Sequence, residues 1–587
     1  MEETLSRKMR RHASILGLLG PAMLLVGFLV MVSLVMLAVY SVTPKGEFGF
    51  ANYAKALLDP FYRGIILRTI GIGLTVAAIL TVLSYPVAYY LARNKSPYKV
   101  LILALVLSPM MTNLMVRTVA WMQILGGAGI INRFLTALSV IDAPIEFLGT
   151  TRAIIPALVY NFFPYMILPL KAAIEGVDER LEEAAYSLGA SRLYTFFRVV
   201  TPQTLVGLFA GFSLVFLRTI SAFVTPKALG QGKFFVLSTL IYQQMHSLNW
   251  GLAAALSFLL LAGILCLVGL TRRLQRGTAG IYLRSRIAAL VALFPEPKAR
   301  RRAAASPREG RRGEAGTAPR KWKSPLLVDT KLVRIMVIFG IAFLVLPLLL
   351  LIRSAFSNSE LMGVNEGFTL RWIIAAVSDP AYLKAALMSL KLGLCSVLIS
   401  LVIGTMAVFG LRRLLGGKHP LFGFFNWALL SPLTIPAIVL AVGMVLLFQA
   451  TGLPFNFNRL VLVHVLITLP YIVNNVGAAI NNLDVSQEEA AFVLGAGRLR
   501  ILWSIILPAL KTGLVSAFIM AFIVSFDEVT ATMLTSGTGQ LTLPVKIMTD
   551  LDIVWSPKIA AVSLVLICFS LLILYIVNRV IGLEKLK

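Results

Sequence analysis

The feature that most constrains this chain is the recurrence, from one end to the other, of charge-poor apolar runs of about 20 residues. Inside a bilayer no water is available to bond backbone N–H and C=O groups, so such a run closes on itself as a helix. Twelve runs centre on 15–40, 71–90, 100–125, 153–170, 205–224, 251–270, 335–352, 392–411, 421–447, 460–483, 512–534 and 559–578. The first is long enough to span and is followed by no small-residue cleavage site, so it reads as a retained span. The expectation is an all-α polytopic membrane protein with about 12 transmembrane helices.

Charge then orients the spans. Lys and Arg number 54 against 26 Asp and Glu, a net +28. A soluble nucleic-acid binder would spread such a charge over a polar surface and leave no long apolar run, so no nucleic-acid partner is expected. Cations precede the first run (Arg7, Lys8, Arg10, Arg11) and follow the second (Arg93, Lys95, Lys99), the sixth (Arg272, Arg273, Arg276) and the eighth (Arg412, Arg413, Lys418). With alternating spans all of these fall on one side, which the positive-inside rule makes cytoplasmic, with both termini there. Between Arg272 and Lys331 stand 16 basic and 4 acidic residues. That segment reads as a solvated tether near anionic headgroups and accounts for +12 of the excess. The three cysteines lie singly in apolar runs and the four histidines are scattered, so neither a disulfide framework nor a metal site is expected.

The two halves repeat each other. Pro164-Tyr165, Ala172-Ala173-Ile174, Asp178, Glu182-Glu183-Ala184-Ala185, Leu188-Gly189-Ala190, Arg192 and Pro202 recur 306 positions later. The copies are Pro470-Tyr471, Ala478-Ala479-Ile480, Asp484, Glu488-Glu489-Ala490-Ala491, Leu494-Gly495-Ala496, Arg498 and Pro508, with no gap. Ser108-Pro109 matches Ser431-Pro432 at an offset of 323, and Asp59-Pro60 matches Asp379-Pro380 at 320. An even number of spans per unit makes the two units parallel, related by an axis along the membrane normal. The division expected is a first six-helix unit over 1–274, a basic cytoplasmic linker over 275–331 and a second six-helix unit over 332–587.

The repeated block falls between the fourth and fifth spans of each unit, at about 176–202 and 482–508. Glu183-Ala184-Ala185 with Gly189 and Pro202, and Glu489-Ala490-Ala491 with Gly495 and Pro508, resemble the EAA loop of importer-type ABC transporter permeases. A Glu-Glu-Ala-Ala run stopped by Gly forms a short helix, and small Ala side chains allow close approach by a partner. The resemblance covers most of both halves. Asn113, Arg117, Ile130-Ile131-Asn132 and Phe223-Val224-Thr225-Pro226 are similar to the first permease subunit of spermidine/putrescine-type importers. Ser525-Phe526-Asp527-Glu528 and Leu543-Pro544-Val545-Lys546 are similar to the second, so the chain resembles a fusion of both. This resemblance implies two parallel permease repeats in a bacterial inner membrane, working by alternating access. It implies as partners two copies of an ATPase subunit, which carry ATP-Mg, and a periplasmic solute-binding protein. The chain itself would bind no cofactor and catalyse nothing. Its nearest approach to a phosphate loop, Gly230-Gln231-Gly232-Lys233-Phe234, lacks the first Gly at the required spacing and the Ser or Thr after Lys.

Ionisable groups at membrane depth are expensive and mark candidate solute contacts. Asp527 and Glu528 lie roughly 22 Å past Thr512 along a helix. Their repeat counterparts, Ser221 and Ala222, carry no acid, and one turn earlier stands Arg218. Arg117 interrupts the third run. Trp121 and Tyr165 offer cation–π faces to an amine, with Tyr471, Asn474 and Asn475 in the second unit. Two arginines and two carboxylates either pair with each other or hold opposite ends of a zwitterion. The substrate expected is a polyamine or a related amine-bearing or zwitterionic solute. Ferric iron or another solute of the same permease class, and an ion-coupled secondary transporter, are the alternatives.

Overall fold

The structure, a computed structural model, describes residues 15–276 and 331–581, apart from 16, 44–46, 95, 365, 416–420, 538 and 554. Arg7, Lys8, Arg10, Arg11, Lys95, Lys418 and nearly all of the basic linker 275–331 lie outside the described residues. The first unit contains α1 (Gly17–Val42), α2 (Pro60–Arg93), α3 (Lys99–Met111), α4 (Leu114–Leu125), α5 (Thr151–Glu175), α6 (Glu179–Ser187), α7 (Arg192–Ile220) and α8 (Trp250–Arg276). The second contains α9 (Lys331–Ala355), α10 (Pro380–Leu415), α11 (Leu421–Leu430), α12 (Ala437–Ala450), α13 (Phe457–Asn481), α14 (Val485–Val493), α15 (Leu499–Asp527) and α16 (Pro557–Ile581). Short helices fill the connections, and no strand occurs among the described residues.

Every predicted run is helical, but two of the twelve are not continuous spans. Among the described residues ten helices are long and apolar enough to cross a membrane alone, Leu114–Ala137 of the third run among them; an eleventh span is formed by Leu421–Leu433 with Ala437–Ala450, bent by 97°, and Pro557–Phe569 of the twelfth run is apolar but shorter. The third run, expected as one helix, is α3 followed by α4. Pro supplies no N–H to the helix ladder and so weakens the turn around it. Pro109 sits in the last turn of α3, Thr112 is extended, and the Asn113 side chain accepts from Met115 N at 2.8 Å to restart the chain as α4. In the second unit Pro432 lies in a 3₁₀ turn and Pro436 heads α12. The break is thus a repeated property of the fold.

The units interlock at these broken spans. α1 and α8 of the first unit pack on α12 of the second, and α9 and α16 of the second pack on α4 of the first. Lipid tails are as apolar as leucine, so close backbone approach holds helices together where the hydrophobic effect does not. A Cβ on Gly443 of α12 would lie 3.0 Å from Ser33 Cβ of α1. The repeat-related Gly207 and Gly513 leave no room for a Cβ against Ala173 and Ala479, seating α7 on α5 and α15 on α13 where the repeated loops emerge.

Candidate coupling and translocation sites

The repeated block folds identically in both units. Asp178 caps α6 by accepting from Arg180 N (3.0 Å), and Asp484 caps α14 by accepting from Ser486 N (2.9 Å). The hydrogen bonds from Ser486 hold the Asp484 carboxyl below the usual carboxylate range. Each helix ends on a left-handed glycine, Gly189 at φ +86° and Gly495 at φ +82°. Ala190 N donates to Ala185 O and Gly189 N to Tyr186 O, with the same pair from Ala496 to Ala491 and Gly495 to Phe492. This is the Schellman stop that glycine admits without strain. Glu183, Ala184, Gly189, Glu489, Ala490 and Gly495 are exposed, while Ala185 and Ala491 are half-buried. Beside each glycine an apolar side chain stands free, Leu188 at 89% and Leu494 at 86% exposure.

Each short helix is tied to the second span of its own unit by the glutamate preceding the Glu-Ala-Ala triplet. Glu182 is fully buried and accepts from Tyr89 Oη (2.6 Å) and Arg93 Nε (2.9 Å), while Arg93 also donates to Val177 O (2.8 Å). Its counterpart Glu488 meets Arg412 at 2.6 Å, with both side chains about a quarter exposed (26% and 22%). Sequence reasoning marked Glu183 and Glu489 and missed these two anchors. The clue available was the doubled glutamate. Past each loop the helix widens into one π turn, Phe196–Val200 and Leu502–Ile506, ahead of Pro202 and Pro508.

The intramembrane candidates fall into two neighbouring groups where the units meet. Asp527 ends α15, and its Oδ1 accepts from Leu114 N (3.0 Å) at the start of α4 in the other unit. Glu528, the next residue, accepts from Ala531 N (2.8 Å). Arg117 is buried one turn into α4 and acts electrostatically on Asp527. Trp121, a further turn along, packs on Tyr160 of α5 and Phe343 of α9 with ring centroids 6.0 and 5.5 Å away. In the second group the Arg218 guanidinium lies 5.2 Å over the Tyr165 ring and neighbours the Tyr471 hydroxyl. Among the described residues neither arginine forms an ion pair with either carboxylate, so the charges do not cancel one another by direct contact. Asn474 is exposed on α13 and stands outside both groups, while Asn475 bonds back to Tyr471 O (2.8 Å).

Asp527 opens on a cleft lined also by Met110, Met111, Asn113, Phe526 and Phe569. Its walls come from both units at the break between α3 and α4. The sequence did not point to His464, which is buried and satisfied by Ser525 Oγ (2.8 Å) and Thr532 Oγ1 (2.9 Å). Nor did it single out Arg459, buried with its guanidinium 3.9 Å from the Phe455 ring centroid. On the face opposite the repeated loops Lys227 meets Asp552 at 2.9 Å across the units. Nearby, Lys558 holds the Asp379 carboxyl below its ordinary range.

Two parallel helical units, each presenting the same capped loop helix on one face, define a membrane permease built as an internal repeat. The sequence pattern of the binding-protein-dependent transport system inner membrane component family matches residues 84–280 and 400–583, and the chain belongs to that family. It is therefore a multi-pass transport component. Over 227 residues, 38% of this chain and 82% of the relative, it is 35% identical to the spermidine/putrescine transport system permease protein PotB of Escherichia coli (strain K12). Over 247 residues, 42% of this chain and 92% of the relative, it is 30% identical to PotC of the same organism and system. A chain of the bacterial alginate ABC transporter, crystallised with a pentasaccharide-bound periplasmic protein, covers 46% of this chain and 96% of its own at 15% identity and a TM-score of 0.39.

Proposed function

We propose that this chain forms the whole translocation pathway of an ATP-driven importer in a bacterial inner membrane, carrying polyamines or related amine-bearing and zwitterionic solutes by alternating access. The face bearing α6 and α14 is cytoplasmic, as are both termini. Each of those helices docks on one of two copies of a separate ATPase subunit, which bind the ATP-Mg, while the chain holds no cofactor. A periplasmic solute-binding protein delivers at the opposite face. The basic linker 275–331 joins what are two chains in the related PotB and PotC system.

The observation that carries this reading is the pair of coupling helices. They have the same caps, the same glycine stop and the same exposed leucine, and each is braced by a glutamate and an arginine on its unit's second span. Closure of an ATPase pair onto α6 and α14 moves α2 and α10 with them, which transmits force to the cleft at Asp527. The amine preference is supported by Asp527 and Glu528, by the ring faces of Trp121, Tyr165 and Tyr471, and by the substrates named for PotB and PotC.

Gly189→Asp tests coupling, because a side chain at φ +86° strains the stop and adds charge to the docking surface. The expected result is loss of ATPase co-purification and of uptake, with the chain still inserted; unchanged co-purification and uptake would exclude docking at this loop. Asp527→Asn tests the solute contact. It keeps an oxygen for Leu114 N and removes the charge, so assembly should be normal and amine uptake at least tenfold weaker.

A further inference from the structure

Four polar side chains on α4 bring buried nitrogen donors with no partner: Asn113 Nδ2, Arg117 Nε, Trp121 Nε1 and Gln123 Nε2. The side chains of all four residues are 7% exposed or less. Asn113, Arg117 and Trp121 are spaced by four and share one face of the helix. A buried donor without a partner has lost its water and gained nothing in exchange, so four on one helix is a standing cost. The fold does not require it. The pseudo-equivalent positions of α12, reached at the same offset of 323, are Pro436, Leu440, Met444 and Leu446. α12 lies between α1 and α8 just as α4 lies between α9 and α16, and there the same packing is made by apolar side chains.

The row also has an origin and a destination. Asn113 lines the cleft at Asp527, and Gln123 lines a second cavity with Leu350, Ser354 and Gly363 at the far end of α4. Every unpartnered atom in the row is an N–H. A diammonium ion offers only N–H donors in return, and Arg117 repels it. An oxyanion offers lone pairs and negative charge to such donors, and its bond to a guanidinium is of the strong, charge-assisted kind. Asp527, bonded to Leu114 N about 4.5 Å along the axis from Arg117, is placed to take an ammonium at the other end.

We propose that the α4 face carrying Asn113, Arg117 and Trp121 is a specificity-determining seat for an oxyanion, so that the solute carried is an amine bearing a carboxylate or similar group and not a simple polyamine. This rests on the importer reading and narrows its substrate class. The carboxylate of the solute faces α4 of the first unit while its ammonium faces Asp527 of the second, and α12 contributes no matching row.

The test compares two probes of the same carbon length, tritiated putrescine and tritiated 4-aminobutyrate. Equilibrium binding is measured on the purified complex of this chain with its ATPase, without the binding protein, so that upstream selection plays no part. Arg117→Leu copies the residue at the equivalent place on α12, and Trp121→Phe keeps the ring but removes the donor. The expected result is that Arg117→Leu weakens 4-aminobutyrate tenfold or more and Trp121→Phe severalfold, with putrescine changed less than twofold by either. Should Arg117→Leu fail to purify, Trp121→Phe carries the comparison. Binding of putrescine alone to the unaltered chain, or equal losses of both probes in the variants, would overturn the seat and leave the importer reading standing. Binding of neither probe would overturn both the seat and the amine preference.

Discussion

Glu182 and Glu488 occupy the same place in the two repeats and live in different surroundings, which makes them a controlled pair. Glu182 has no exposed surface and shares its charge with Arg93, itself 4% exposed. Removing one partner of such a pair leaves a buried charge uncompensated, at about 3–5 kcal/mol. The pair of Arg412 and Glu488 is partly solvated, and breaking it costs about 1 kcal/mol or less. Glu182→Gln should therefore lower the thermal unfolding temperature of the purified chain well below that of Glu488→Gln, and Arg93→Met should recover much of the loss when combined with Glu182→Gln. Equal shifts for the two single variants would show that Glu182 is not the brace of its loop. The sequence pointed one position further on because the repeated triplet begins at Glu183. The anchoring partner lies 89 positions away, and no periodicity links the two. Arg117 and Asp527 were legible for the opposite reason, since a charge inside an apolar run stands out. Gln123 was not, because a single amide in a span is commonplace and only its buried surroundings on α4 set it apart.

Helices are where the sequence was most readable, and the two misread spans show its limit. An apolar run reports that a segment is buried in lipid or protein; it does not report direction. α11 and α12 are equally apolar on either side of a 97° bend, so hydropathy runs through the break. Pro109 and Pro432 were visible at matching repeat positions, yet prolines also occur inside α5 at Pro156, Pro164 and Pro169 without ending it. What separates the cases is tertiary: Thr112 and Pro436 are extended where helices of the other unit cross. The glycine contacts are more decisive at this scale. Gly513 of α15 sits where its Cβ would collide with Ala479 of α13, and Gly207 repeats the contact with Ala173. Gly513→Val should force α15 off α13 and reduce the yield of folded chain by size exclusion in detergent, at about 1–3 kcal/mol for an overpacked site. Combining it with Ala479→Gly should restore part of that yield. No recovery would mean that the two backbones are held apart by something other than this contact.

At the scale of the molecule, the two units exchange elements so that neither completes itself. α12 lies beneath α1 and α8 of the first unit, and α4 beneath α9 and α16 of the second. Asp527 reaches Leu114 N and Lys227 reaches Asp552, so the units also meet through polar bonds in the middle and on the face opposite the loops. Cross-unit packing of this extent makes covalent continuity a matter of effective concentration, which a join between two chains raises without adding a contact. It follows that residues 1–274 and 332–587, expressed together as separate chains, should assemble into a complex that an affinity tag on the second unit retains. The same experiment with a first chain lacking residues 1–43 separates interlocking from simple adhesion. Without α1, Gly443 of α12 loses the Ser33 surface that leaves no room there for a Cβ, and a stripe of buried apolar residues from Ile438 to Phe448 is left facing lipid or detergent. Retention of the shortened chain should fall severalfold. If both versions are retained equally, α1 is dispensable for assembly and the units are held by the remaining cross-unit contacts.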